Sequence, residues 1–138
     1  MGTNGLTTVP SEFGFNETIT RMESAIKTAG MSIFARIDHG TAASAVNLLL
    51  RPTEVLIFGN PEGGTRLMQA SQLIGIDLPL RVLIYQDMSG KVSVAYNDPS
   101  WVAERHGLNA SATTVVAAMT KALRNMTSHA TGSHASVL

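Results

Sequence analysis

Two short runs constrain this chain more than any other feature. RVLIYQD at 81–87 and KVSVAYN at 91–97 are both rich in strand-forming residues, and only Met88-Ser89-Gly90 separates them. Three residues leave no room for the long crossover that parallel strands need, so the runs are expected to pair as an antiparallel hairpin. Two further runs extend that sheet. In MSIFARID at 31–38, Met31, Ile33, Ala35 and Ile37 alternate with Ser32, Phe34, Arg36 and Asp38, the pattern of a strand with one buried face. Phe34 breaks the polar side of the alternation and is expected to cover a partner or the sheet edge. TEVLIFG at 53–59 has four successive large apolar residues, Val55 to Phe58, and reads as a strand buried on both faces.

Helical spacing fills the intervals. NETITRMESAIKTAG at 16–30 places Ile19, Met22, Ile26 and Ala29 on one side, with Asn16 as a cap and Gly30 as a left-handed stop. HGTAASAVNLLL at 39–50 predicts a second helix that closes before Pro52, and GTRLMQAS at 64–71 a short third one. Asp98 and Pro99 open a helix that ends at Gly107. The last helix is expected from Ala112 to Asn125, with Val115, Met119, Ala122, Leu123 and Met126 along one side. The resulting class is α+β, a mostly antiparallel sheet with helices packed on one face. Residues 1–12 read as a lead or a first short strand, 13–126 as one domain, and the small polar residues of 127–138 as a flexible tail.

Composition removes several kinds of function. Ten basic residues balance ten acidic ones, so the electrostatic footprint of a nucleic-acid binder is missing. There is no cysteine, which excludes disulfides, thiolate metal sites and cysteine nucleophiles. Apolar stretches fall short of the roughly 20 residues that span a bilayer. The first residues lack the basic start and apolar run of a secretory signal, and Leu6 stands where a myristoylation motif wants Ser or Thr. A cytoplasmic protein without membrane or nucleic-acid partners is the expectation.

The order of these segments resembles a known family. A strand ending in Asp38-His39, then EVLIFGNPEGGTRLMQ at 54–69, IDLPLRVLIYQDMSGKVSVAY at 76–96 and DPSWVAERHGL at 98–108, is similar to the bacterial and archaeal domain of unknown function 302. The likeness covers roughly residues 13 to 126. It implies an antiparallel sheet flanked by helices in a TBP-like arrangement, and a homodimer. It implies no activity, because the family has none agreed. Arg66 and Arg81 stand where the family often carries Lys, which keeps the charge but removes any chemistry needing a neutral amine.

The stretch FGNPEGGTRLMQ at 58–69 raises the question of a phosphate loop. Gly63 and Gly64 are able to take positive φ and gather backbone N–H groups at a helix start. However, neither a Walker lysine nor a dinucleotide glycine pattern is present, and Glu62 would repel a phosphate. The plainer reading is a turn shaped by Asn60 and Pro61, with Thr65 capping a short helix and Asn60 and Thr65 free to face a pocket. Strand ends favour functional groups, so His39, Asn60, Thr65, Met68 and Asp77 are taken as the lining of one small-ligand pocket. An alternative is an enzyme of unknown reaction with His39 as general base, oriented by Asp38 or Asp77. A third is an interaction module docking through Phe34 or Trp101. Met68 with His39 would make an axial-type set for haem or a soft metal, while most of the seven methionines read as core filler. Asp77 reads first as a turn residue before Leu78-Pro79, with a pairing to Arg81 or Arg66 left open. Neither a nucleophile elbow nor an HExxH helix occurs.

Overall fold

Five strands hydrogen-bond edge to edge in the order β1-β5-β4-β3-β2, every neighbouring pair antiparallel. This computed structural model describes residues 4–108 and 112–133. The elements are β1 (Leu6–Pro10), α1 (Phe15–Thr28), β2 (Ser32–Asp38), α2 (His39–Ala45), β3 (Thr53–Gly59), α3 (Pro61–Ala70), a 3₁₀ turn (Gln72–Asp77), β4 (Leu80–Gln86), β5 (Val92–Asn97), α4 (Pro99–Arg105) and α5 (Thr113–Thr131). The α+β reading holds, and the β4–β5 hairpin stands where its sequence puts it, with Val82 opposite Tyr96 and Gln86 opposite Val92. Residues 6–10 take the edge position beside β5, so the N-terminal lead contributes a strand to the sheet.

Alternation along the strands sorts the side chains. Leu56, Phe58, Val82, Ile84, Val92 and Val94 point to one face and are buried there against Ile19, Met22 and Ile26 of α1 and Leu123, Met126 and Ala130 of α5. A buried aliphatic or aromatic side chain of this kind contributes about 1.5–3 kcal/mol. The opposite face carries Ala35, Val55, Ile57, Leu83 and Ala95, all only partly buried. The expectation that β3 is buried on both faces therefore holds for one face alone. A second, smaller core gathers Leu67, Ile74, Val102 and Ala112 where α3, the 3₁₀ turn and α4 meet the start of α5.

Several boundaries differ from the sequence expectations: Asn16, expected as the cap of the first helix, lies inside α1, whose N-cap is Gly14. The second helix ends at Ala45 and not near Leu50. Its small residues bury nothing, and Asn47 leaves the helical region at φ 63. Leu48, Leu49 and Leu50 are consequently exposed in a loop. The third helix starts at Pro61, with Asn60 as its cap, so Gly63 and Gly64 lie inside it and not in a positive-φ loop. The last helix runs on through Thr131, so residues 127–131 are not a tail. Thr127, Ala130 and Thr131 are buried, Thr131 returns its hydroxyl to the Thr127 carbonyl at 2.7 Å, and Gly132 closes the helix at φ 78. A Cβ on Gly132 would stand 3.0 Å from the Glu12 carboxyl and 3.2 Å from the Phe13 ring, so the helix end is locked against the chain entering α1. Residues 134–138 of the expected tail lie outside the described residues.

Charged groups hold the edges. Glu54 is buried on the helix-covered face and receives Arg36 Nε of β2 at 2.6 Å, while Arg36 also reaches Glu23 of α1 at 3.4 Å. The paired carboxylates hold the Arg36 guanidinium above its ordinary pKa, with the Glu54 hydrogen bond the main cause. Asp38 caps α2, accepting the Thr41 N–H at 2.9 Å and the Thr41 hydroxyl at 2.8 Å. Asp87 organises the hairpin turn, accepting from the Ser89 hydroxyl at 2.7 Å and from the Ser89 and Lys91 amides at 2.9 and 3.0 Å. Burial, and then the nearby Asp98 carboxylate, raises the Tyr96 phenol.

Two outcomes follow from this packing. Thr127 Oγ1 is buried without a hydrogen-bond partner among the described residues. Thr127→Val keeps the shape and removes the orphaned hydroxyl, so urea melts should show a gain of about 1 kcal/mol; a loss of that size would mean the hydroxyl is satisfied. The second outcome concerns acid. Hydrogen bonds lower the pKa of both Asp38 and Asp87, from Thr41 in the first case and chiefly from Ser89 and Lys91 in the second. Their contribution is complete above the unfolded carboxylate value of about 3.9 and is lost as pH falls through the lower folded value. Urea titrations from neutral pH into acid should show Asp87→Asn losing less stability than the parent over that fall, and an identical fall would refute the assignment.

Candidate functional site: an apolar cavity at the β3–α3 junction

β3 ends at Gly59, and Asn60 turns the chain into α3. Asn60 Oδ1 accepts the Glu62 amide at 3.0 Å, and Pro61 supplies a preset φ at the first helical position. Thus FGNPEGGT is a capped strand-to-helix connection. The anion nest that its glycines suggested is not formed, because Gly63 and Gly64 are helical and have no positive φ. Their use is steric. A Cβ on Gly63 would touch Met119 Cε at 3.4 Å, and one on Gly64 would approach Leu78 and Met68 at 3.9 and 4.0 Å.

The space so left belongs to a cavity of about 350 Å3. It is bounded by the β3–α3 junction, the start of β2, the segment before β4, and Val115, Ala118 and Met119 of α5. Three thioethers, Met31, Met68 and Met119, and the ring of Phe34 supply much of its wall. Among the described residues, Asn60 and Thr65 are the only lining residues with polar side chains, and none of the lining side chains is charged. Phe34 reaches it because the pairing of β2 with β3 slips at this point. Ile33 stands opposite Phe58, but Ala35 stands opposite Ile57, so Phe34 is a bulged residue. A Cβ on Gly59 would lie 3.7 Å from the Phe34 ring and 3.4 Å from Pro79. The break that Phe34 makes in the polar alternation was therefore a real signal, and its meaning was a bulge aimed at a cavity.

The five residues expected in one pocket are divided. Asn60, Thr65 and Met68 border this cavity. His39 does not. Ser32 pairs with Gly59 at the cavity end of β2, whereas Asp38 pairs with Glu54 at the other, and seven residues of strand put about 20 Å between those ends. His39 is exposed at the first position of α2, and the Asp38 carboxylate beside it is occupied by Thr41. The structure brings neither Met68 nor a carboxylate orienter to His39, so the axial pair and the His39 base are not assembled. Among the described residues no cluster of three or more His, Asp or Glu is arranged to hold a metal.

Asp77 belongs to a different cluster. It accepts from Arg105 Nη1 at 2.9 and 3.1 Å and meets His106 Nε2 at 2.5 Å, not Arg81 or Arg66. Arg66 is turned to Glu62 one helical turn away, at 3.0 Å. The Asp77 cluster joins the 3₁₀ turn to the end of α4 and contributes to neither wall nor mouth of the main cavity. Sequence reasoning missed it because its partners lie 28 and 29 positions apart, with no motif connecting them. Trp101 is also accounted for: its indole lies over Gly5, where a Cβ would stand only 2.3 Å from the ring.

The profile of the family described as Domain of unknown function DUF302 matches residues 7–126. The chain belongs to this family. The crystal structure of an uncharacterised conserved DUF302 protein from Bacillus stearothermophilus superposes with a TM-score of 0.82 at 22% identity, over 91% of this chain and 98% of the other. That likeness fixes the DUF302 fold and nothing of its chemistry. Curated relatives are named fluoride-specific ion channels: FluC 1 of Brucella suis and FluC 1 of Brucella abortus are each 46% identical over 129 residues. The chain spans about half the length of these relatives, 51% and 48%. Among the described residues no helix is long and apolar enough to cross a membrane.

The Asp77 cluster gives a stability test for this DUF302 domain. Asp77→Asn should cost about 1.5–3 kcal/mol in urea melts, the usual worth of a hydrogen bond to a charged group. Adding Arg105→Ala to that variant should cost little more, and full additivity would show that the two side chains act independently.

Proposed function

We propose that this chain is a small-ligand-binding module whose site is the cavity at the β3–α3 junction, and that it works as a homodimer. The observation carrying the first part is the coexistence of a sizeable apolar hollow with residues that leave it open. Four glycines, Gly59, Gly63, Gly64 and Gly75, border it. Two of these lie in the first half of α3, where glycine weakens a helix by about 1 kcal/mol each relative to alanine. A helix start that accepts that cost and leaves the space empty is consistent with an occupant. The polar rim of Asn60 and Thr65 gives such an occupant an orientation.

The dimer reading rests on the surface away from the helices. Ile37, Val55, Ile57 and Leu83 form an apolar sheet face that is only partly buried, and the loop after α2 adds Val46, Leu48, Leu49 and Leu50. Leu49 is 101% exposed. A sheet face repeated on a second copy offers the self-complementary contact that a two-fold dimer uses. The named channel relatives favour a setting for the module. A helical ion channel needs spanning segments, and among the described residues of this chain no helix is long and apolar enough to cross a membrane. We therefore assign channel activity to their remaining half and an accessory role to the shared half. An enzyme reading has less support, since among the described residues no oriented base borders the cavity.

Native mass spectrometry of the purified chain tests both parts at once. A dimer mass with a retained small molecule is expected, and Leu49→Lys combined with Ile37→Lys should shift the population to monomer. A bare monomer at micromolar concentration would overturn both readings.

A further inference from the structure

We infer that the occupant of this cavity is an uncharged, planar, largely aromatic molecule of about two or three fused rings, the scale that a pocket of roughly 300 Å3 upward accepts. The inference rests on the cavity being a ligand site and adds what the ligand must be. Charge is settled first. Among the described residues no Lys, Arg, His, Asp or Glu lines the cavity, and the nearest charged residues of α3, Glu62 and Arg66, are exposed and bridged to each other at 3.0 Å. A carboxylate, phosphate or ammonium brought into this apolar wall would lose its hydration without gaining a countercharge. That excludes anionic cofactors as tight occupants despite the helix start beside the cavity, where Glu62 sits in the first turn.

Shape follows from which side chains are missing. Gly59, Gly63, Gly64 and Gly75 let backbone form part of the wall, and a flat surface approaches backbone more closely than a branched chain does. The projecting groups are the Met31, Met68 and Met119 thioethers and the Phe34 ring, all of which interact favourably with aromatic edges and faces. At the rim, Asn60 has its carbonyl committed to Glu62 and its amide N–H groups unpartnered among the described residues, and the Thr65 hydroxyl is also without a partner there. Together they would donate to one carbonyl or ring acceptor at the edge of a neutral ring system.

A matched pair of dyes tests the charge. N-phenylnaphthylamine is neutral and carries a flat naphthyl ring, and anilinonaphthalenesulfonate is the same skeleton with a sulfonate. The purified protein should bind the neutral dye with fluorescence enhancement, at least about tenfold more tightly than the sulfonated one, a difference of about 1.4 kcal/mol. Naphthol should displace it at lower concentration than octanol. Gly64→Leu, whose side chain projects toward Leu78 and Met68, should remove the binding while circular dichroism and melting stay at or above parent values. Gly64→Ala controls for the added helix propensity and should keep most of the binding. Equal or tighter binding of the sulfonated dye, or stronger competition by octanol, with both still lost in Gly64→Leu, would overturn the neutral planar class and leave the cavity as a ligand site. Dye binding that is absent, or unchanged in Gly64→Leu, would overturn the cavity reading as well.

Discussion

The structure depends on one apolar layer, the face of the sheet formed by Leu56, Phe58, Val82, Ile84 and Val94, closed by α1 and α5. Those side chains come from the three central strands and are fully buried, so the register among β3, β4 and β5 is fixed by them. A slip of one residue would turn the whole set to water and bring Val55, Leu83 and Ala95 inward in their place. Both helices are held by the same layer, and their ends are tied in turn. Arg36 links β2 to both α1 and the buried Glu54, and Gly132 locks the end of α5 against Glu12 and Phe13.

The cavity arises where that layer runs out. Past Phe58 the sheet ends at Gly59, and the neighbouring strand β2 loses register at Phe34. The second core of Leu67, Ile74 and Val102 begins only farther along α3 and α4. Between the two cores lies a gap that larger residues at positions 63 and 64 would narrow. The bulge and the glycines therefore act together: one sends a ring toward the gap and the others keep its wall thin. The Asp77 cluster, by contrast, fastens the 3₁₀ turn whose Gly75 stands in the same wall.

The comparisons bear on this division of labour. A family match over residues 7–126 and a superposable bacterial structure establish the DUF302 fold, and neither names a ligand. The chain spans about half the length of the curated channel relatives it matches.

Much of the fold was legible residue by residue. The Met88-Ser89-Gly90 connection forces an antiparallel hairpin, the spacing of Ile19, Met22 and Ile26 forces a helix with one buried side, and Asp98-Pro99 marks a helix start. Each is a local rule, satisfied within a few residues. The site was legible only in part. Asn60, Thr65 and Met68 share one short connection and stayed together, while His39 and Asp77 were joined to them by strand-end logic and went elsewhere. Antiparallel pairing decides which strand ends are neighbours, and it puts the end of β2 beside the start of β3, not its end. The same limit hid the last turns of α5, because Thr127 and Thr131 read as polar until Phe13 and Glu12 are folded against that helix end. Sequence determines what each segment prefers; only the assembled sheet decides which segments meet, because that choice is made by burial summed over contacts far apart along the chain.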